Sequence, residues 1–201
     1  MTRPRRRTHG DAGQVFPIYL TVVAGLLFLA FAYFAVGQAA VNRNGAQTAA
    51  DAAALAAAQE TRDELADLWK LVVLDPTKWQ EIFDGVGAAD DPCRRAYQLA
   101  AQNDANVEQC VPDGLRFSVA VQTNKSAGDS VIPITSTTHA HASAIAVIES
   151  LCTFELPGQP APVNALPRLT CEDGEWNLDP TDLEPDDLPG PEDLFDVHLA
   201  D

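Results

Sequence analysis

The chain has 201 residues, and its 29 Asp and Glu against 13 Lys and Arg give a formal charge of −16. That length suits one modest domain with accessory segments and excludes a large multidomain enzyme. The acidic balance argues against a nucleic-acid partner, because phosphate recognition needs clustered positive charge, and an apolar share of 46% argues against a chain disordered throughout.

Residues 1–14 read as a basic leader carrying Arg3, Arg5, Arg6 and Arg7. Val15 to Val36 then runs for 22 residues without a charged side chain. As a helix rising about 1.5 Å per residue it is roughly 33 Å long, enough to cross a hydrocarbon core. The next basic residue is Arg43. Positive charge stays on the cytoplasmic side, so the N-terminus is expected inside and the rest outside, as a single-pass protein of the cell membrane. The exterior residues 37–201 hold 9 basic and 28 acidic side chains, a net charge of −19.

A cleaved signal peptide competes with this reading, since Gly37-Gln38-Ala39 loosely resembles a small-x-small cleavage site. The apolar block exceeds the usual h-region, which favours a retained anchor. The arginine cluster alone is weak support for the twin-arginine route.

Beyond the block, residues 47–58 have close to the best helix-forming composition available, because alanine loses least side-chain entropy on entering a helix. Leu65, Leu68, Trp69 and Val72 recur at helical spacing and mark one apolar face. The expectation is a long N-terminal helix, half in lipid and half in the exterior domain, with a weak point at residues 42–45. Asp75-Pro76 and Asp91-Pro92 carry the signature of an N-cap followed by proline at the first helical position. They predict short helices ending near Phe83 and Asn103. Leu115, Phe117, Val119 and Val121 alternate with smaller or polar residues and predict a strand with one buried face.

A second strand is predicted over Thr137 to Ile148, with Ala140, Ala142, Ala144 and Ala146 on one side. A flat face of alanines lets a helix approach closely, and the alanine-rich helix is the expected occupant. The exterior domain, residues 37–171, therefore reads as α+β, a small antiparallel sheet packed on helices. Residues 172–201 hold 12 acidic side chains, no Lys or Arg, and prolines at 180, 185, 189 and 191. That composition predicts a disordered acidic tail.

The N-terminal quarter resembles a known family. Gly13-Gln14, the uninterrupted apolar helix and the run from Ala39 through Asn42-Arg43-Asn44-Gly45 to Ala56 resemble TadE/TadG-like proteins of Flp (tight-adherence) pilus assembly. The alanine-rich stretch at 47–58 is the strongest part of the likeness, which covers about residues 11–60. The resemblance implies a pseudopilin-like membrane protein, acting structurally in a surface-fibre or secretion apparatus rather than as an enzyme. It implies other pilin-like or pilus-assembly subunits as partners, reached through the N-terminal helix, beside the lipid bilayer itself. It also implies a processing point between Gly13 and Gln14. Pilins of this type carry a glutamate five residues after the cut, where this chain has Ile18. The alternative is an anchored or secreted exterior binding module with an acidic surface.

Ala24, Gly25, Ala30, Ala32, Ala35 and Gly37 are spread through the apolar helix. Small residues of this kind let helices approach in lipid, and are also common in single anchors. Cys93, Cys110, Cys152 and Cys171 all fall on the predicted exterior side, where an even count suggests disulfides with three connectivities open. Pairing of nearest neighbours, Cys93–Cys110 and Cys152–Cys171, is the expectation, the first tying the helix after Asp91 to the start of the strand after Gly114. Each would close a loop worth about 3 kcal/mol in the chain-entropy account. Their spacing differs from the close cysteine pairs of zinc sites.

His139 and His141 share a strand face, a two-histidine geometry that a metal can use, although nothing nearby in sequence supplies a third ligand. Trp69, Trp79 and Trp176 read as core or amphipathic-surface residues. No nucleophile elbow, phosphate-binding glycine loop, zinc-protease or calcium-loop pattern is present, so no catalytic, cofactor or metal residues are assigned.

Overall fold

The computed structural model describes residues 15–88, 91–126, 139–156, 165–184 and 187–200. The chain divides into two compact units, Met1–Val41 and Asn42–Asp201. Helix α1, Val15–Leu71, contributes to both, and Asn42, Arg43, Asn44 and Gly45 are helical within it. In the first unit the described residues from Phe16 onward are all helical, with side chains exposed apart from the half-buried Val23.

The second unit is α+β. A 3-10 turn at Pro76–Lys78 leads into α2, Trp79–Phe83, and α3 spans Cys93–Gln102. Strands β1, Ala105–Asp113, β2, Arg116–Ser126, and β3, His139–Ser150, follow in antiparallel succession. Next come three short strands, β4 at Cys152–Phe154, β5 at Leu169–Cys171 and β6 at Gly174–Trp176. Helix α4, Pro191–Leu194, feeds β7, Phe195–Leu199. The main sheet has the order β1-β2-β3-β7, and β4-β5-β6 form a second sheet.

Alternation on β2 sorts Phe117, Val119 and Val121 into the core and leaves Arg116 and Ser118 exposed. On β3, Ala144 and Ala146 are buried on the same side as Ile148. Ala49, Ala50, Ala53, Ala54 and Ala57 of α1 belong to the same core cluster as those β3 alanines. The Gln47 amide donates to the carbonyl of Ser143 on β3, 3.4 Å away. Fully buried methyl-sized side chains leave little tolerance for larger ones. Farther along α1, Leu65 and Trp69 are fully buried, and the Trp69 and Trp79 rings meet at 5.2 Å.

Two turns depend on glycine. Gly114, at φ +58, opens the two-residue loop joining β1 to β2, where the hairpin requires a left-handed first residue. Gly85, at φ +85, packs so closely on Leu115 that an added Cβ would lie 2.7 Å from its Cδ2.

Several expectations need correction. The acidic segment 172–201 does not form a disordered tail where it is described: β7 completes the main sheet beside β3, and Leu194 and Phe195 are fully buried. The apolar residues Leu183, Leu188, Leu194, Phe195, Val197 and Leu199, diluted among carboxylates in the sequence, converge on the core. Neither Asp-Pro pair supplies a side-chain cap. The Asp75 carboxylate accepts from the Thr77 hydroxyl at 2.5 Å instead, and Pro92 itself takes the N-cap position of α3. Of the predicted second strand, residues 137 and 138 lie outside the described residues. Cys110 lies within β1, before Gly114 rather than after it.

Candidate functional site

The feature that stands out chemically is the first part of α1. Phe16, Tyr19, Leu26, Phe28, Phe31, Tyr33, Phe34 and Val36 are all more than half exposed, with Tyr33 reaching 84%. Water-exposed apolar surface on this scale marks a site of contact with lipid or protein. Among the described residues, α1 is the one helix long and apolar enough to cross a membrane. Away from its ends, an α-helix pairs its backbone N–H and C=O groups within itself, which is the condition for entering hydrocarbon. Pro17 sits in the first turn, where its missing N–H is without consequence. Gly25 and Gly37 have open space where a Cβ would stand, so both leave notches in the helix surface.

Gly13 and Gln14, the expected processing point, lie outside the described residues, as does the basic leader 1–14. The structure bonds Cys93 to Cys110 and Cys152 to Cys171. The first bond ties α3 to β1, and the second joins directly opposed residues of β4 and β5. No cysteine is free.

The structure places His139 and His141 on β3 but gives both rings protein partners. His139 Nδ1 is 2.8 Å from the carbonyl of Thr123. His141 Nδ1 is 2.9 Å from Glu108 Oε2, and its Nε2 is 3.3 Å from the Gln122 amide nitrogen. Glu108 sits at a shift in the β1 register, a partner that spacing alone could not have indicated. Among the described residues, no group of three or more His, Cys, Asp or Glu is placed to hold a metal ion. Trp69 and Trp79 are core residues, and Trp176 packs half-buried against the core.

Among the described residues, hollows on the second unit include two with defined linings. One, of about 260 Å³, is lined by Glu64, Asp67, Leu68, Leu71 and Gly87. The other, of about 470 Å³, is lined by Leu74, Asp75, Pro76, Thr77, Ala165, Leu166 and Pro180. Its Asp75 carboxyl titrates below the usual range because the Thr77 hydroxyl and the Lys78 ammonium stabilise the charged form. That acid is therefore ionised at neutral pH and is a poor proton donor.

The apolar helix and the alanine run behind it also carry the likeness to known proteins. Residues 13–60 match the Flp pilus-assembly TadE/G-like family. The match supports a role related to pilus assembly, association with a membrane and interaction with other pilus components. It covers α1 from its start through the whole buried alanine run to Glu60 and leaves the end of α1, α2, α3 and both sheets outside. No curated protein and no solved structure matches the chain. The TadE/G-like segment therefore spans both the lipid-compatible surface and the first elements of the folded core.

Proposed function

We propose that this protein is a single-pass, pseudopilin-like component of an Flp-type pilus assembly or secretion apparatus, and that it acts structurally rather than catalytically. The observation that carries the reading is the coincidence of the TadE/G-like match with the exposed apolar part of α1. Residues 15–36 anchor the chain, the arginines of the leader hold the N-terminus in the cytoplasm, and the folded domain lies outside. An exterior, oxidising location also suits two disulfides and no free thiol. Small residues along the anchor give neighbouring subunits a surface for close packing in lipid.

The deciding experiment is N-terminal sequencing and intact mass of the protein from native membranes. A terminus at Gln14 supports prepilin-type processing, and an intact Met1 or Thr2 supports an unprocessed anchor. A terminus near Ala40 overturns the membrane reading, because the apolar helix would then be a discarded signal peptide.

A second reading, a tethered exterior binding module with an acidic surface, draws support from the second unit having its own complete core. Under that reading residues 42–201 alone are soluble and keep their binding activity. Under the first reading, deleting the anchor abolishes assembly.

A further inference from the structure

Strand β7 ends the main sheet, and its ladder with β3 sorts its backbone groups. Leu151 N–H donates to Leu194 O at 2.9 Å, and Ala200 N–H donates to Ile145 O at 2.8 Å. Between those bonds the register pairs Asp196 with Glu149 and His198 with Val147. Alternate residues of an antiparallel strand turn their amides to opposite sides. Leu194, Asp196, His198 and Ala200 therefore face β3, while Phe195, Val197 and Leu199 face away from it. Phe195 is already engaged, since its N–H donates to Pro191 O and the residue is fully buried. Val197 and Leu199 remain, with two donors and two acceptors that have no backbone partner among the described residues.

The two edges of the sheet differ in how they resist strand addition. Strand β1 carries a register shift between Val107 and Gln109 and a proline at 112, both of which disfavour a new neighbour. Strand β7 has an unbroken register and neither proline nor lysine. Its Val197 and Leu199 side chains are half-buried against the core, and the exposed carboxylates of Asp196 and Glu149 stand on the opposite face beside His198.

We infer that the open edge of β7 accepts an extended segment of a partner protein as an added antiparallel strand. Its apolar side chains continue the row of Val197 and Leu199, and its Lys or Arg side chains lie beside Asp196. Backbone bonds supply the attachment, and alternating side chains supply the selectivity. The net charge of −19 on residues 37–201 favours a cationic segment over a second copy of this chain. The inference goes beyond the role in pilus assembly and does not depend on the anchor.

The test uses the full chain in neutral-detergent micelles and a short peptide alternating lysine and valine, with a glutamate–valine peptide as control. Amide hydrogen exchange at Val197 and Leu199 is the readout. The lysine peptide is expected to slow both amides by about tenfold or more, and the glutamate peptide to leave them unchanged. Val197→Pro removes one edge donor without touching the β3 ladder, and is expected to abolish the slowing with the far-UV circular dichroism preserved. If that variant does not fold, the comparison of the two peptides on the unaltered chain decides the matter by itself. Binding of the lysine peptide with no slowing at these two amides would overturn the inference, as would slowing by both peptides alike. Protection that rises with protein concentration in the absence of peptide would assign the edge to a second copy and overturn it as well.

Discussion

The Sγ of Cys152 lies 3.2 Å from the backbone carbonyl of Asp193, so the disulfide of the small sheet touches the turn that delivers the chain into β7. Removing that disulfide should therefore loosen the edge of the main sheet as well as the small one. The double change Cys152→Ser and Cys171→Ser is expected to destabilise the domain by about 3 kcal/mol, as expected for a loop of this size. Denaturant unfolding gives the magnitude, and faster exchange of the β7 amides would show that the loss spreads from the small sheet.

The buried alanines of α1 and β3 should reject larger side chains. Ala53→Leu or Ala146→Leu inserts methylenes at fully buried positions and is expected to cost about 1–3 kcal/mol. Ala39→Leu, at an exposed position of α1, should leave the stability of the second unit unchanged. Thermal unfolding of the three variants under one set of conditions makes the comparison.

Phe195 carries much of the packing contributed by the C-terminal segment. It is fully buried, and its ring meets that of Phe83 at 5.6 Å. Phe195→Ala is expected to destabilise by about 3–5 kcal/mol, through lost burial and the cavity left behind. A change below about 1 kcal/mol would mean that the segment is peripheral to the core.

Acid titration should single out Asp75 and Asp179. Thr77 and Lys78 lower the first, and the backbone N–H and hydroxyl of Thr181 lower the second. A depressed folded-state pKa contributes stability that is present above the unfolded value and lost as pH falls through the folded one. Both carboxyls should therefore stay ionised below pH 3.8, their ordinary value, in a carbon-detected NMR titration. Thr181→Ala should move Asp179 upward only in part, because the backbone bond persists. Lys125 behaves oppositely. Its pairing with Asp104 raises its pKa, so that contribution is complete below 10.5 and fades as pH climbs through the higher folded value.

The apolar block, the alanine run and the alternating β2 and β3 were legible because each holds one period, or one composition, over ten or more residues. Strand β1 was not legible. Asn106, Glu108, Gln109 and Pro112 make it a polar edge strand whose alternation is broken by a register shift. Strand β7 was hidden for a different reason. Its Phe195, Val197 and Leu199 alternate correctly, but five residues are too few to outweigh the acidic, proline-rich sequence before them. The tail expectation averaged over 30 residues a property that three side chains decide. The cysteine pairing was readable as nearest neighbours, whereas the contact of His141 with Glu108 depends on strand pairing that no local pattern encodes.

The place of β7 in the sheet sets a schedule for biosynthesis. Strand β3 has β2 on one side as soon as residue 150 has been made, but its other side stays open until residues 195–199 emerge. During that interval Ile148 lacks the cover of Val197, and Phe83 lacks Phe195. The nascent domain is thus incomplete until β7 is made. A chain stalled before residue 195 would present an uncovered β3 edge to chaperones and proteases.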